Sequence, residues 1–447
     1  MPSRMLQLLS TTVIFVLPLS AAAQAPQTLD FKSSGKAAGR LHFTPAVLSK
    51  YSLDGQDIAK SAASILDFHS AAWGFNGEVF WDIHIYDTQP HFDKLGETER
   101  SLTRKVAGGT KPGACVSRMS LQEIANAISG VNLMNGAPLS DPMSWRFEFA
   151  LAHEAAHCYQ FVTSKLHNES ASLPPTLWFL EGSANWLAGD YLESTGREYP
   201  SYFEKGFRES HQESLLERAN SNHFFFKWLE GNQGLKNRAA VIAFVEDMLD
   251  VPWPQGRWPG CVVHPPHAAC STPLYEDLVK RWFAKHNTTI ASVLSLFGSA
   301  IVRGTVPGIR APKLFLEERR TLYIQPGFNT ARMSILATGV PAAVPLGKLT
   351  ALYKPDDKKG IIPKEFGFYV VEVRLSEPLL PTPNGYLFAM EGVDDNISGR
   401  LSSEKSDDVI DQSGWIRTKF LEGNWLSVAR SSIKTGQDTR ILLKALP

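Results

Sequence analysis

The chain has 447 residues, with 45 Lys and Arg balanced by 45 Asp and Glu, 43% hydrophobic residues and 20% charged ones. That length accommodates two or three domains, and the composition is that of a globular protein rather than a disordered one. A formal net charge of zero leaves no bulk attraction to nucleic acid or to an anionic membrane.

Residues 1–25 read as a secretory signal. Arg4 supplies the positive end, residues 8–19 are mainly apolar, and Ala21-Ala22-Ala23-Gln24-Ala25 offers small-residue cleavage sites. The apolar core is short for a membrane span, and no other stretch reaches spanning length. The mature protein is therefore expected to be exported, secreted or periplasmic, with no stable membrane insertion after cleavage. Asn168, Asn287 and Asn396 head sequons that matter only in a eukaryotic host.

Residues 26–165 are expected to form an α+β lobe. Ile58, Ala62, Ile65, Leu66 and His69 keep helical spacing. Val79, Trp81, Ile83 and Ile85 alternate with their neighbours, which predicts a strand. Gly108-Gly109 and Pro112-Gly113 mark turns before a short strand at 114–117. His84 and His91 read as strand or surface histidines rather than ligands.

The lobe closes on a helix. Asp141 followed by Pro142 is a cap with proline at the first helical position, and the run continues to about residue 162. Phe147, Phe149, Leu151, Tyr159 and Phe161 are spread round its axis, so the helix should be buried on several sides. It carries His153-Glu154-Ala155-Ala156-His157, an H-E-x-x-H pattern. Positions i and i+4 share a helix face, so both imidazoles can reach one metal ion. Glu154 can then lie beside the ion without occupying it and act as a base toward a bound water. At this composition a chance match has a probability of roughly 0.02–0.03.

A second helix follows. Pro174-Pro175 suits a helix start, and Thr176 to Ala188 reads as mostly buried, with Glu181 inside the run. A buried carboxylate is costly unless paired or bound to a metal. Glu181, 181 − 157 = 24 residues after His157, is thus the candidate third ligand. Gly182 and Ala184 are small enough to let the two helices approach.

The HEAAH stretch with Gln160, followed by Trp178-Phe179-Leu180-Glu181-Gly182-Ser183-Ala184, resembles the gluzincin metallopeptidases, the thermolysin-like zinc enzymes whose third ligand is a glutamate on a later helix. The resemblance covers about residues 147–188. It implies that His153, His157 and Glu181 bind one zinc per chain and that Glu154 is the general base. It also implies a sheet before the zinc helix, with an edge strand able to pair with extended substrate; residues 114–119 are the expected edge. Thermolysin has an Asp four residues after the ligand Glu, holding a ligand His. This chain has Asn185 there, whose amide can still accept such a hydrogen bond.

Residues 166–312 are expected to be mainly helical, with segments near 222–230, 238–249 and 275–296. Gluzincins commonly stabilise the oxyanion with a Tyr or His from this side; Tyr191, Tyr199, Tyr202, His211 and His223 are equal candidates. Four cysteines in an oxidising compartment suggest disulfides. Three pairings are open. Cys261 with Cys270 closes a local loop and leaves Cys115 with Cys158, which would tie a strand to the zinc helix. Cys261, His264, His267 and Cys270 also offer zinc-type ligands, and Pro265-Pro266 stiffens a loop too short to wrap an ion easily.

From 313 to 447 seven short β-rich runs separated by turns predict an all-β, sandwich-like domain, a candidate for glycan or protein docking. The expected protein is an exported zinc peptidase acting on peptide or protein substrates, with endopeptidase action preferred. A zinc amidase acting on cell-wall or glycan-linked substrates, or a non-catalytic binding protein with a structural zinc, are the alternatives.

Overall fold

The computed structural model describes residues 25–88, 101–105, 113–126, 142–164, 174–197, 207, 215, 222–231, 235–250 and 273–309, with strands between 321 and 445. The expected signal (save Ala25), His91, and the loop carrying Cys261 and Cys270 lie outside the described residues.

The N-terminal lobe is a five-stranded mixed sheet with helices on one face. Its strands are β1 (Gln27–Lys32), β2 (Ala38–Phe43), β3 (Phe80–Tyr86), β4 (Ser101–Lys105) and β5 (Ala114–Ser120), in the order β1-β2-β3-β5-β4. The central pairs β2–β3 and β3–β5 are parallel, and both edges are antiparallel. Residues 114–119 therefore form an interior strand, not the expected edge; β4 lies outside them. Trp81, Ile83 and Ile85 of β3 are buried while their neighbours are half-exposed, which is the period-2 alternation of a one-face-buried strand. The Trp81 indole N–H donates to Ser117 Oγ across the pair at 2.7 Å.

Helices cover the buried face. A short one, α1 (Pro45–Lys50), leads into α2 (Gly55–Trp73). Asp54 caps α2 by accepting from the backbone N–H groups of Gln56 and Asp57, and Gly74 ends it in the left-handed region at φ 61°. Ile58, Ala62, Ile65, Leu66 and His69 are all buried, as their spacing predicts. The helix α3 (Pro142–Thr163) lies against α2, β4 and β5. Cys115 of β5 and Cys158 of α3 form a disulfide with Cα atoms 5.7 Å apart, so the expected pairing of these two is present.

The helical lobe begins with α4 (Pro174–Ser194), buried on nearly all sides. It runs antiparallel to α3, since Glu148 meets Tyr191 at one end and Gln160 meets Leu180 at the other. Gly182 permits a close approach, but to a different neighbour than the sequence suggests. A Cβ there would stand 2.8 Å from Phe226 and 2.9 Å from Asn222, at helix α5 (His223–Glu230). Next come α6 (Arg238–Leu249), α7 (Pro273–Lys285) and α8 (Ile290–Val302). Buried Asp190 of α4 pairs with Lys227 of α5 and Arg238 of α6, joining the three helices. The single helical run expected at 275–296 is two helices. Asn287 adopts φ 55°, and Thr289 starts α8 by accepting from the Ser292 N–H.

Beyond α8 the described strands form two sheets. Six strands, β6 (Thr321–Gly327), β7 (Thr330–Leu336), β8 (Gly367–Leu375), β10 (Ile397–Ser402), β11 (Asp407–Ile410) and β13 (Asn424–Arg430), have the order β11-β10-β13-β8-β6-β7. The other three are β9 (Tyr386–Glu391), β12 (Ile416–Thr418) and β14 (Arg440–Ala445). Helix α8 lies against β8, β10 and β13, so a helix as well as strands packs on this sheet, a feature a plain sandwich lacks. One of the seven expected β-rich runs, residues 349–353, lies outside the described residues.

Fully buried His69 joins α2 to α3: its Nε2 donates to the Ala152 carbonyl at 2.9 Å. Burial pushes its pKa down to about 3. The folded pKa lies below the unfolded value, so the unfolded chain binds the extra proton. The stability this neutral histidine contributes is full above pH ~6.5 and is lost as pH falls toward 3, by up to about 1.4 kcal/mol per pH unit. His69→Phe should flatten that slope in urea unfolding measured from pH 6.5 to 4.5. Equal slopes in the two proteins would refute this role.

Candidate metal centre

Helices α3 and α4 bring His153, His157 and Glu181 together. One ligand atom from each lies within 4.8 Å of the others. His153 Nε2 stands 3.3 Å from Glu181 Oε2, and His157 Nε2 stands 3.5 Å from Glu181 Oε1. The two Nε2 atoms are 2.9 Å apart. The rings meet edge to face with centroids 4.5 Å apart, so two in-plane lone pairs aim at one region from different directions.

Gln160 sets the orientation of one ring. Its Oε1 accepts from His157 Nδ1 at 2.7 Å, and its amide donates to the Leu180 carbonyl at 2.9 Å and to Ser183 Oγ at 2.8 Å. One buried side chain thus keeps the His157 Nδ1 protonated and turns Nε2 inward, so that Nε2 carries the lone pair whenever the ring is neutral, and it couples α3 to α4 on either side of Glu181. Asn185 lies one turn past Glu181 and is buried. The nitrogen of His157 that faces away from the centre is taken by Gln160.

The electrostatics favour a positive charge. Burial pulls His157 down, but the Glu181 carboxylate, the Glu154 charge and Gln160 more than offset it, and the imidazole is held up at about 9. Burial favours neutral Glu181, yet His157 and His153 hold its carboxyl below the usual range. Glu154 follows His153 on α3 and is buried, so its carboxylate is shielded from bulk water. Two imidazoles and a carboxylate converging this way suit a first-row divalent cation, and three protein donors leave a coordination position for water.

Of the oxyanion candidates, Tyr191 is committed elsewhere: its hydroxyl donates to Glu148 Oε1 at 3.2 Å. His223 is fully buried at the start of α5. Tyr199, Tyr202 and His211 lie outside the described residues.

No protein-family model matches the chain, and no curated protein matches it. Among solved structures it is similar to an M1 zinc metallopeptidase from Deinococcus radiodurans, at 14% identity and a TM-score of 0.32, covering 64% of this chain and 52% of that one. It is also similar to a mutant two-domain M1 zinc metallopeptidase bound to L-arginine, at 13% identity and a TM-score of 0.30, over 59% and 49% of the two chains. An aminopeptidase N family protein from Idiomarina loihiensis matches at 12% identity and a TM-score of 0.29, over 91% and 69%. The chain spans about half the length of the first of these.

The Gln160 bridge makes a prediction. Gln160→Leu keeps all three candidate ligands but frees the His157 ring. Zinc affinity, measured by competition with a chromophoric chelator, should fall by about 10–100-fold, the usual scale for losing such a partner. An unchanged dissociation constant in a folded variant would show that Gln160 orients nothing.

Proposed function

We propose that this chain is an exported zinc-dependent peptidase, with His153, His157 and Glu181 holding one zinc and Glu154 as general base. The observation that carries the reading is the convergence of two imidazole Nε2 atoms and a carboxylate from two adjacent helices, with buried Glu154 next to the first histidine. A purely structural zinc is closed by four protein ligands, whereas three converge here among the described residues.

When bound, zinc supplies Lewis acidity, polarising a scissile carbonyl and acidifying a water. The chain's own residues do the rest. Glu154 takes the proton from the attacking water and delivers it to the amine nitrogen as the C–N bond breaks. Its burial keeps that proton from exchanging with solvent. Glu181 balances charge at the centre, and Gln160 keeps His157 aimed inward. Strand β4, the sheet edge among the described strands, packs against α3 and is the edge to which an extended peptide would add.

The two glutamates separate the roles. Glu154→Gln keeps the shape and loses the base. Zinc should stay at one per chain while peptide turnover falls by ~10²–10⁴-fold or more. Glu181→Ala removes a ligand, so zinc content and turnover should fall together. Elemental analysis of both variants decides: zinc lost from the first and kept by the second would reverse the assignment, and wild-type turnover in Glu154→Gln would end the mechanism.

Endopeptidase action is part of the proposal, because no sequence motif for gripping a free N-terminus stands out. Peptides blocked at the N-terminus should be cut as fast as free ones, with fragments released from internal bonds. Release of single N-terminal residues from free peptides alone would reassign the chain as an aminopeptidase.

A further inference from the structure

The outer face of the N-terminal sheet carries a second group of ligand-type side chains. On β3, Asp82 and His84 are two residues apart and point to the same side, opposite buried Trp81, Ile83 and Ile85. Parallel pairing sets His42 of β2 beside His84. The three form one triangle, with a ligand atom from each within 4.8 Å of the others. Helices α2 and α3 cover the other face, where Cys115 of β5 turns inward to Cys158.

The distances suit a cation. His84 Nε2 stands 3.5 Å from Asp82 Oδ2, too far for a good hydrogen bond. Two ligands each about 2.1 Å from one tetrahedral ion stand about 3.4 Å apart. His42 Nε2 is 2.7 Å from Asp82 Oδ1, a contact that opens to admit an ion. The His42 and His84 rings stack with centroids 4.4 Å apart and 12° between planes, so both present their edges to the same carboxylate. A modest turn about each soft χ2 aims both lone pairs at one point. On the far side of His42, Thr28 Oγ1 lies 3.1 Å from Nδ1 and steadies the ring.

We propose that His42, Asp82 and His84 form a second divalent-cation site, taking zinc or a similar imidazole-seeking metal, on the sheet face opposite the buried centre. The side chains are 27–30% exposed, so the remaining positions go to water and the ion exchanges readily. Arg118, on β5 across from His84, adds positive charge nearby. The site is therefore weaker than the buried one. A bound ion would clamp β2 to β3, strands that the whole of α1 and α2 separates in sequence.

The test counts zinc bound to the full-length mature chain by equilibrium dialysis against zinc chloride, and does not depend on turnover. The wild type should bind one tight and one weaker equivalent. His84→Ala and Asp82→Asn should each weaken the second by at least about tenfold and keep the first. Glu181→Ala should lose the tight equivalent and keep the weak one, whose binding then raises its melting temperature. Asp82→Asn preserves side-chain volume, so it reports even if His84→Ala folds poorly. A wild type that saturates at one equivalent, or a weak equivalent untouched in both outer-face variants, overturns the proposal.

Discussion

Everything in the two central helices answers to one demand, that a carboxylate and two imidazoles share a small space away from bulk water. With Nε2 atoms 2.9 Å apart and Glu181 oxygens 3.3 and 3.5 Å away, the lone pairs repel unless a positive charge sits among them. Desolvation makes any loosening of that arrangement expensive. The surroundings are correspondingly rigid. Both helices are buried on several sides, and Gln160 uses all three of its hydrogen bonds there to tie one to the other.

The rest of the fold supplies walls of different kinds. On the sheet side the support is covalent and apolar, through the Cys115–Cys158 bridge and the buried face of β3. On the helical side it is ionic. Asp190 is paired with Lys227 and Arg238, and Glu230 takes Arg238 and the Trp186 indole. Breaking one partner of such a buried network leaves an uncompensated charge, so the α4–α5–α6 packing is less tolerant of substitution than its apolar content suggests.

Features set by local periodicity could be read directly from the sequence. The alternation at Trp81, Ile83 and Ile85, the 3.6-residue spacing from Ile58 to His69 and the helix start at Pro142 all act over a few residues. The convergence of His153, His157 and Glu181 is legible for the same reason, since the two histidines share a helix face and a buried carboxylate needs a partner. Features set by pairing partners were hidden. Ser101-Leu102-Thr103-Arg104-Lys105 is too polar to announce a strand, and only its place beside β5 makes it the edge. Gly182 declares a close contact but not that Phe226 makes it. His42 and His84 are ordinary strand residues until parallel register sets them side by side. Asn287 reads as helical until its left-handed φ splits the run.

The bridge between Cys115 and Cys158 spans 43 positions of sequence, and one of its ends is the residue next to His157. The segment it encloses includes residues 127–141, which precede α3 in the chain. A backbone cut there produces two polypeptides by sequence but one molecule by covalent connectivity. The histidines stay fastened to the sheet through sulfur. If the chain acts as the peptidase proposed above, a cut made by another copy anywhere between the two cysteines is survivable, and it would show as two bands only after reduction.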